Sequence, residues 1–202
     1  MGAILCGGQA SRMGGEKAMA DLAGQPLVGH VIGRLEPQVG SLLLCVESPS
    51  SGLESLGLNC VPDAVSGHRG PLIGLYSALA AMSDEGPEWL QLAPCDAPFL
   101  PLELADLLAA SSLEAGVSVA APRYEGVVQP TFSLWHRSLL DGVREAVMGD
   151  GQGGLMAMLD RTEHAVVDWA SAMPPPFFNV NSVSDLSVAS VLLDGQRGRA
   201  TR

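Results

Sequence analysis

Five short apolar runs, each bordered by Gly, Pro or Asp, constrain the fold of this chain more than any other feature. None of them shows the polar alternation of a half-exposed strand, so each is typical of a strand that is buried on both faces. Taken as predicted strands, the runs are Ala3–Cys6, Ser41–Val46, Leu58–Val61, Trp89–Ala93 and Val117–Ala121.

Amphipathic segments of helix length alternate with these runs. The predicted helices are Leu27–Glu36, Leu72–Met82, Leu102–Ala110, Ser138–Met148 and Val183–Leu193. In the second helix, apolar residues recur every three or four positions, and Pro71 occupies the first helical position, where a missing N–H costs little. The alternation predicts an α/β fold of three layers, in which helices cover both faces of a mainly parallel, twisted sheet.

The length of 202 residues indicates one domain whose core needs neither disulfides nor a structural metal. We predict that residues 1–193 form this domain. Residues 194–202 lack an apolar period and contain three arginines, so we expect a flexible tail there. The Pro174–Pro176 run is interpreted as a stiff connector inside the domain.

The charge of the chain limits its partners. The formal net charge is -11, and such an acidic surface repels nucleic acids, so a small anionic ligand would need a local positive site. Four scattered cysteines without a CxxC pair indicate buried thiols in a reducing compartment. No apolar stretch is long enough to span a bilayer, and we expect a soluble, cytoplasmic protein without a membrane partner.

Lys17 is the only lysine of the chain, and it follows a loop that contains Gly7, Gly8, Gly14 and Gly15. Glycines allow backbone N–H groups to turn toward an anion, and a lysine is a compact charge on a flexible stem. The loop therefore predicts a phosphate site, although a compositional bias toward arginine would also leave a single lysine.

Neither standard phosphate fingerprint matches this loop. A Walker loop ends in Gly-Lys-Ser/Thr, whereas Ala18 follows Lys17, and the two glycine pairs do not have the spacing of GxGxxG. These differences argue against a P-loop ATPase and a dehydrogenase. A longer loop with Arg12 inside it and Lys17 at its end can surround a triphosphate with two cationic groups.

Polar residues follow the predicted strands, where open α/β sheets bind their ligands. Asp96 lies between Pro94 and Pro98 at the end of a buried strand, and we interpret it as a magnesium ligand in preference to a helix cap. Asp63 is either a ligand contact or a turn residue. Further polar candidates that are equally open between a ligand contact and a structural role are Asn179, Asn181, and Gln129-Pro130-Thr131.

Together these segments resemble the nucleotidyltransferases that activate a phosphorylated acceptor with a nucleoside triphosphate, which have a Rossmann-like fold. The double glycine after Leu5-Cys6 is similar to the molybdenum cofactor guanylyltransferase branch, MobA, because relatives that use CTP carry Ala-Ala-Gly there. The matching segments, which cover nearly the whole chain, are Leu5-Cys6-Gly7-Gly8, Arg12-Met13-Gly14, Lys17, Gly70-Pro71-Leu72-x-Gly74, Pro94-Cys95-Asp96, Gln129-Pro130-Thr131 and Phe178-Asn179-Val180-Asn181.

The resemblance implies a function for each segment. Lys17, Asp96 and Arg12 would be catalytic, with Asp96 on Mg²⁺, and the pterin would lie toward Gln129–Thr131 and Asn179–Asn181. Cys45 stands where relatives often have an Asn that contacts the nucleoside. The implied nucleotide-binding residues are Leu5, Cys6, Gly7, Gly8, Gly14, Gly15, Lys17, Cys45, Asp63 and Asp96.

The implied reaction is transfer of GMP from GTP to the terminal phosphate of molybdopterin or molybdenum cofactor, with release of pyrophosphate. The enzyme is expected to be a monomer that makes transient contacts with enzymes donating or accepting the cofactor. Two alternatives remain: a related nucleotidyltransferase that uses CTP or a sugar-phosphate acceptor, and a non-catalytic GTP-binding module that delivers cofactor.

Overall fold

The computed structural model describes residues 1–7, 17–48, 50–65, 70–149 and 154–200, with side chains up to residue 196. Its strands are β1 (Gly2–Leu5), β2 (Asp21–Leu22), β3 (Gln25–Pro26), β4 (Leu42–Val46), β5 (Asn59–Pro62), β6 (Trp89–Pro94), β7 (Val119–Tyr124), β8 (Val127–Val128), β9 (Leu134–His136) and β10 (Ala165–Trp169). Its α-helices are α1 (Leu27–Leu35), α2 (Ser51–Glu54), α3 (Pro71–Ala80), α4 (Leu104–Ala115), α5 (Leu140–Met148), α6 (Leu155–Asp160) and α7 (Val183–Ala200).

Eight strands form the main sheet, in the order β10-β7-β9-β6-β1-β4-β5, with β8 paired to β7. Strands β6, β1, β4 and β5 run parallel to one another, and β10 runs parallel to β7. Strand β9 is antiparallel to both of its neighbours, and β2 and β3 form a separate hairpin. The four central parallel strands therefore end at one edge of the sheet.

Helices cover both faces of this sheet, and the side chains of β1 point alternately into the two hydrophobic cores that lie between the sheet and the helices. Ala3 and Leu5 lie in a cluster with α3, α5 and α6, whereas Ile4 lies in the opposite cluster with α1 and α4. All four residues of β1 are buried. The apolar runs without polar alternation predicted a three-layer α/β fold with a mainly parallel sheet. The structure confirms this fold.

The five predicted strands are present, each within two residues of the expected start and three residues of the expected end. Strands β9 and β10 were not predicted. β9 has only three residues, too few to show a pattern, and its antiparallel direction follows from the chain path through Pro130–Phe132. β10 has mixed burial because it lies at the sheet edge, so its sequence lacks a continuous apolar run.

Two helices continue five or more residues beyond their predicted ends, and the other helix bounds differ by at most two residues. Helix α4 continues past Ala110 to Ala115 and ends where Gly116 adopts φ 66°, a left-handed conformation that favours glycine. Helix α7 continues past Leu193 to Ala200. The flexibility of residues 194–202 stays a prediction. Apolar periodicity marks only the packed part of a helix, and an exposed continuation carries no such signal.

No helix in the described part of the chain combines the length and apolar character needed to cross a membrane.

Gly74 allows α3 to approach β1 closely. A Cβ added at this position would lie 2.6 Å from Cδ2 of Leu5, whose side chain is buried. We therefore expect Gly74→Ala to lower the free energy of unfolding by about 1–3 kcal/mol, because the core must shift to accept a methyl group. Urea denaturation measures this difference.

The matched control is Gly33→Ala in helix α1, where an added Cβ meets no atom within 4 Å. This substitution should leave stability unchanged or raise it by about 0.5–1 kcal/mol, as alanine does in an exposed helix. Equal effects of the two substitutions would show that the close approach of α3 to β1 does not limit position 74.

Candidate active site

A cleft of about 360 Å³ lies at the carboxyl ends of β1, β4, β5 and β6, where open α/β sheets bind ligands. The amino end of α3 forms one wall of this cleft. The lining residues are Leu5, Cys6, Gly7, Lys17, Cys45, Glu47, Asp63, Gly70, Pro71, Ile73, Gly74, Pro94, Cys95, Asp96 and Thr131. The sequence-predicted Leu5, Cys6, Gly7, Lys17, Cys45, Asp63, Asp96 and Thr131 are thus brought together.

Lys17 and Asp96 form an ion pair at the β6 end of the cleft. The Lys17 ammonium also donates to Oδ1 of Asn181 at 2.6 Å, so the lysine is held from two sides. The side chains of Lys17 and Asp96 are only 20% and 12% exposed, which limits solvent screening of the pair. A cationic group and a carboxylate therefore share one cleft, as the sequence predicted.

The second carboxylate oxygen of Asp96, Oδ1, is buried and has no hydrogen-bond partner among the described residues. Buried polar atoms are normally paired, and an unpaired one is a candidate ligand for a cation. Asp96 does not cap the following helix, because α4 begins at Leu104 with Glu103 in the capping position. The helix-cap interpretation of Asp96 is therefore excluded.

No group of three or more His, Cys, Asp or Glu side chains gathers as a metal site within the described ranges. A metal held by Asp96 would therefore take its other ligands from phosphate oxygens and water. Mg²⁺ has this preference, since it is commonly bound by one or two carboxylates together with the phosphates of a nucleotide.

The segment with Asn179 and Asn181 is fixed against the Asp96 loop. The N–H of Val180 donates to the backbone carbonyl of Asp96 at 2.9 Å, and the N–H of Asn181 donates to the carboxylate of Asp185 at 2.9 Å. Ser182 accepts from the Asp185 N–H, which is a helix-capping contact, so neither asparagine side chain is needed as the cap of α7. Oδ1 of Asn179 is buried and has no partner among the described residues.

An aromatic contact joins the two segments that the resemblance assigned to the pterin. The rings of Phe132 and Phe177 lie edge to face, with centroids 4.9 Å apart. Phe132 follows Thr131, which lines the cleft, and Phe177 comes two residues before Asn179. Gln129 is directed elsewhere, because its amide donates to the Val127 carbonyl at 3.2 Å, and neither Gln129 nor Pro130 is a lining residue of the cleft.

The opposite end of the cleft is acidic. Asp63 follows β5 and is half-buried, and burial raises the pKa of its carboxyl, with a further upward contribution from the negative charge of Glu47. The Asp63 N–H donates to Val46 at 2.9 Å, and the next N–H, of Ala64, donates to Oγ of Ser77 on α3 at 2.9 Å. Both contacts hold the Asp63 backbone in place.

Cys45 is buried on β4, and its thiol donates to the Gly74 carbonyl at 3.4 Å. Burial, followed by the charge of Asp63, raises the pKa of this thiol to about 12. The predicted nucleotide contact at Cys45 is therefore limited to packing and its backbone carbonyl, which accepts from the Cys6 N–H at 2.8 Å.

Glu47 was not predicted as a site residue, although it lines the cleft. The signal was present, because Glu47 lies two residues after Cys45 and residues two apart on an extended chain share a face. The predicted residues Gly8, Arg12, Gly14 and Gly15 lie outside the described ranges.

A family model for the MobA-like NTP transferase domain matches residues 2–166. The chain belongs to this family. It is 34% identical over 194 residues to a molybdenum cofactor guanylyltransferase of Bradyrhizobium sp. (strain ORS 278), covering 95% of this chain and 92% of the relative. It is 33% identical over 189 residues to a molybdenum cofactor guanylyltransferase of Rhodopseudomonas palustris (strain BisB5), covering 92% and 90%.

Solved structures share the fold. Molybdopterin-guanine dinucleotide biosynthesis protein A from Archaeoglobus fulgidus aligns with a TM-score of 0.78 at 21% identity, covering 96% of this chain and 98% of that one. CMP:2-keto-3-deoxy-manno-octonic acid synthetase complexed with CTP aligns with a TM-score of 0.75 at 12% identity, with the same coverage. The likeness to both structures supports the fold assignment.

The Cys45 thiol should resist alkylation in the native protein. A thiol with a pKa of about 12 is almost wholly protonated at pH 8, and its burial excludes reagents. Mass spectrometry after treatment with iodoacetamide should show Cys45 unmodified in native protein and modified in urea. Equal labelling in the two conditions would contradict the burial of this side chain.

Proposed function

We propose that this protein transfers GMP from GTP to the terminal phosphate of molybdopterin or its molybdenum form, releasing pyrophosphate and forming a guanine dinucleotide cofactor. The observation that carries the proposal is the Lys17–Asp96 pair in the cleft, in which one Asp96 oxygen has no hydrogen-bond partner among the described residues. Membership of the MobA-like family and the names of the 33–34% identical relatives support the choice of nucleotide and acceptor.

The reaction forms one phosphorus–oxygen bond and breaks another. An oxygen of the acceptor phosphate attacks the α-phosphorus of GTP, and the bond between the α-phosphorus and the bridging oxygen to the β-phosphate breaks. A phosphate is already ionised at neutral pH, so the attack requires no general base. The requirement is charge neutralisation and alignment of the attacking and leaving oxygens.

Lys17 supplies positive charge at the phosphate end of the cleft. Its ammonium is held by Asp96 and Asn181, which fixes its position before substrates bind. The backbone at Leu5–Gly7 lines the same cleft at the end of β1, where the Cys6 N–H is bonded to the Cys45 carbonyl and holds the start of the glycine loop in place. We assign Arg12, in the adjoining loop, a second cationic contact to the triphosphate.

Mg²⁺ fits the free oxygen of Asp96, and we propose Asp96 as its protein ligand. When bound, the ion would neutralise charge on the phosphates. The acceptor is placed toward Thr131, Asn179 and Asn181, on the side of Lys17 away from Asp63. Each of these polar groups except Thr131 lies on the segment that is bonded to the Asp96 carbonyl.

We further propose that the protein acts as a cytoplasmic monomer that meets cofactor-donating and cofactor-accepting enzymes transiently. The four cysteines, all within the described ranges, form no disulfide with one another, as is usual in a reducing compartment.

Replacing Lys17 or Asp96 by alanine should lower turnover by about 10²–10³, because each removes a preorganised charge contact with the transition state. Pyrophosphate release is measured with saturating GTP, Mg²⁺ and molybdopterin. The control is Asp168→Ala on the edge strand β10. This substitution breaks an exposed ion pair with Arg123 of β7 and should leave turnover unchanged.

Wild-type turnover in Lys17→Ala or Asp96→Ala would contradict the assigned role of that residue. Pyrophosphate release with CTP in place of GTP, or with a sugar phosphate in place of the pterin, would favour the related nucleotidyltransferases. GTP binding without release of pyrophosphate in the presence of any acceptor would identify a non-catalytic delivery module.

We expect GTP affinity to fall as pH is lowered through the raised pKa of Asp63. Only the ionised carboxylate accepts from both the N1–H and the 2-amino group of guanine, so protonation removes an acceptor. Since burial and Glu47 raise this pKa, the loss begins at a higher pH than for an ordinary aspartate. Calorimetric titration of wild type and Asp63→Asn over the same pH range measures the effect.

The triphosphate titrates alike in both titrations, so the difference between wild type and variant isolates Asp63. The described titratable groups near it are Glu47 and Cys45. Identical pH profiles for wild type and Asp63→Asn would contradict a base contact at Asp63.

A further inference from the structure

We propose that Glu47 is a specificity-determining residue of the nucleotide site, where its carboxylate accepts hydrogen bonds from the ribose hydroxyls of the bound triphosphate. The proposal rests on the proposed function, because it takes a ribonucleoside triphosphate as the ligand of the cleft.

Glu47 and Asp63 occupy neighbouring positions on the cleft wall. Val46 of β4 pairs with Pro62 of β5. The residues that follow these two strands, Glu47 and Asp63, are therefore neighbours at the end of the sheet. Both residues line the cleft. Cys45 faces the α3 side of the sheet and Val46 the opposite side, so alternation returns Glu47 to the side of the Gly74 wall.

The order of the strands assigns each carboxylate a part of the nucleotide. The central strands follow one another as β6-β1-β4-β5, so the cleft residues at their ends are Asp96, Leu5–Gly7, Glu47 and Asp63 in that order. A nucleotide is ordered phosphate, ribose, base. With the phosphates at Lys17 and Asp96, the ribose falls at the end of β4 and the base at the end of β5.

Burial agrees with this assignment. Asp63 is half-buried, as suits a contact to the flat edge of a base, whereas Glu47 is exposed at the rim, as suits a contact to the sugar. Cys45, the other β4 residue on the cleft side, is excluded as a polar contact because its buried thiol already donates to the Gly74 carbonyl. Among the described residues that line the cleft at β4, Glu47 is therefore the polar side chain that reaches the ribose.

The chemistry of the two carboxylates also fits. An ionised carboxylate accepts hydrogen bonds only, and the ribose hydroxyls and the guanine N–H groups are the donors of the nucleotide. Two carboxylates at one end repel the triphosphate, which is drawn instead to Lys17 at the other end. The cleft thus accepts the nucleotide in one orientation.

The test compares GTP with 2′-deoxyGTP, 3′-deoxyGTP and ITP in calorimetric titrations without acceptor. Wild type should bind GTP about 10-fold more tightly than at least one deoxy analogue, as expected for loss of a hydrogen bond to a charged group. Glu47→Ala should bind GTP and that analogue within about threefold of each other. Its preference for GTP over ITP should stay at the wild-type value, because ITP lacks only the 2-amino group of the base.

Two variants serve as controls. Glu47→Gln keeps the shape and loses the charge, and should retain an intermediate preference, since a neutral acceptor forms a weaker hydrogen bond. Glu114→Gln removes an exposed charge from helix α4 and should retain the full preference. Thermal denaturation of each variant confirms that it is folded.

The proposal would be overturned if Glu47→Ala discriminated against both deoxy analogues as strongly as wild type does. It would also be overturned if Glu47→Ala kept that discrimination and lost the preference for GTP over ITP instead. Wild type that binds GTP with ribose discrimination but releases no pyrophosphate would refute the proposed function and leave the Glu47 assignment standing. Wild type that binds no GTP would overturn both.

Discussion

The parallel pairing of β6, β1, β4 and β5 is the constraint on which the rest of this structure depends. Parallel strands end at the same edge, so residues that are far apart in sequence are brought together there. Lys17 is 79 residues from Asp96 and 164 residues from Asn181, yet both contact its ammonium. Strand β1, at the centre of this edge, is buried on both faces.

The cleft is polarised along the order of its strands. Lys17 lies at one end, and the Glu47 and Asp63 carboxylates lie at the other, in a chain whose net charge is -11. A single lysine therefore carries much weight in binding an anion, because little else in the described part of the cleft offsets the general negative charge.

Much of the fold could be predicted from local sequence patterns, because strands that are buried on both faces have sequences of short apolar runs. Pro71 and the apolar stripe of α3 likewise marked a helix that the structure contains. Strand β9 and the last turns of α7 did not follow, because β9 is too short to show a pattern and residues 194–200 contain no apolar period. Sequence patterns thus report packing, and they fail where packing is slight.

Part of the site could also be predicted from the sequence, because some of its residues directly follow predicted strands. Asp96 and Asp63 follow strands, so the carboxyl-end rule of open sheets identified them. Glu47 also follows a strand, β4, but it was not predicted, because the resemblance directed attention to Cys45 within that strand. The bond between Asn181 and Lys17 depends on the path of the chain after Pro176, which no local pattern encodes.

The hydrogen bond from Val180 to the Asp96 carbonyl links the two halves of the cleft through the main chain. Asn179 and Asn181 flank the donor, while the acceptor residue bears the carboxylate nearest the lysine. Because donor and acceptor are both backbone groups, this contact holds the Asp96 loop against the asparagine segment independently of the side chains that either one carries.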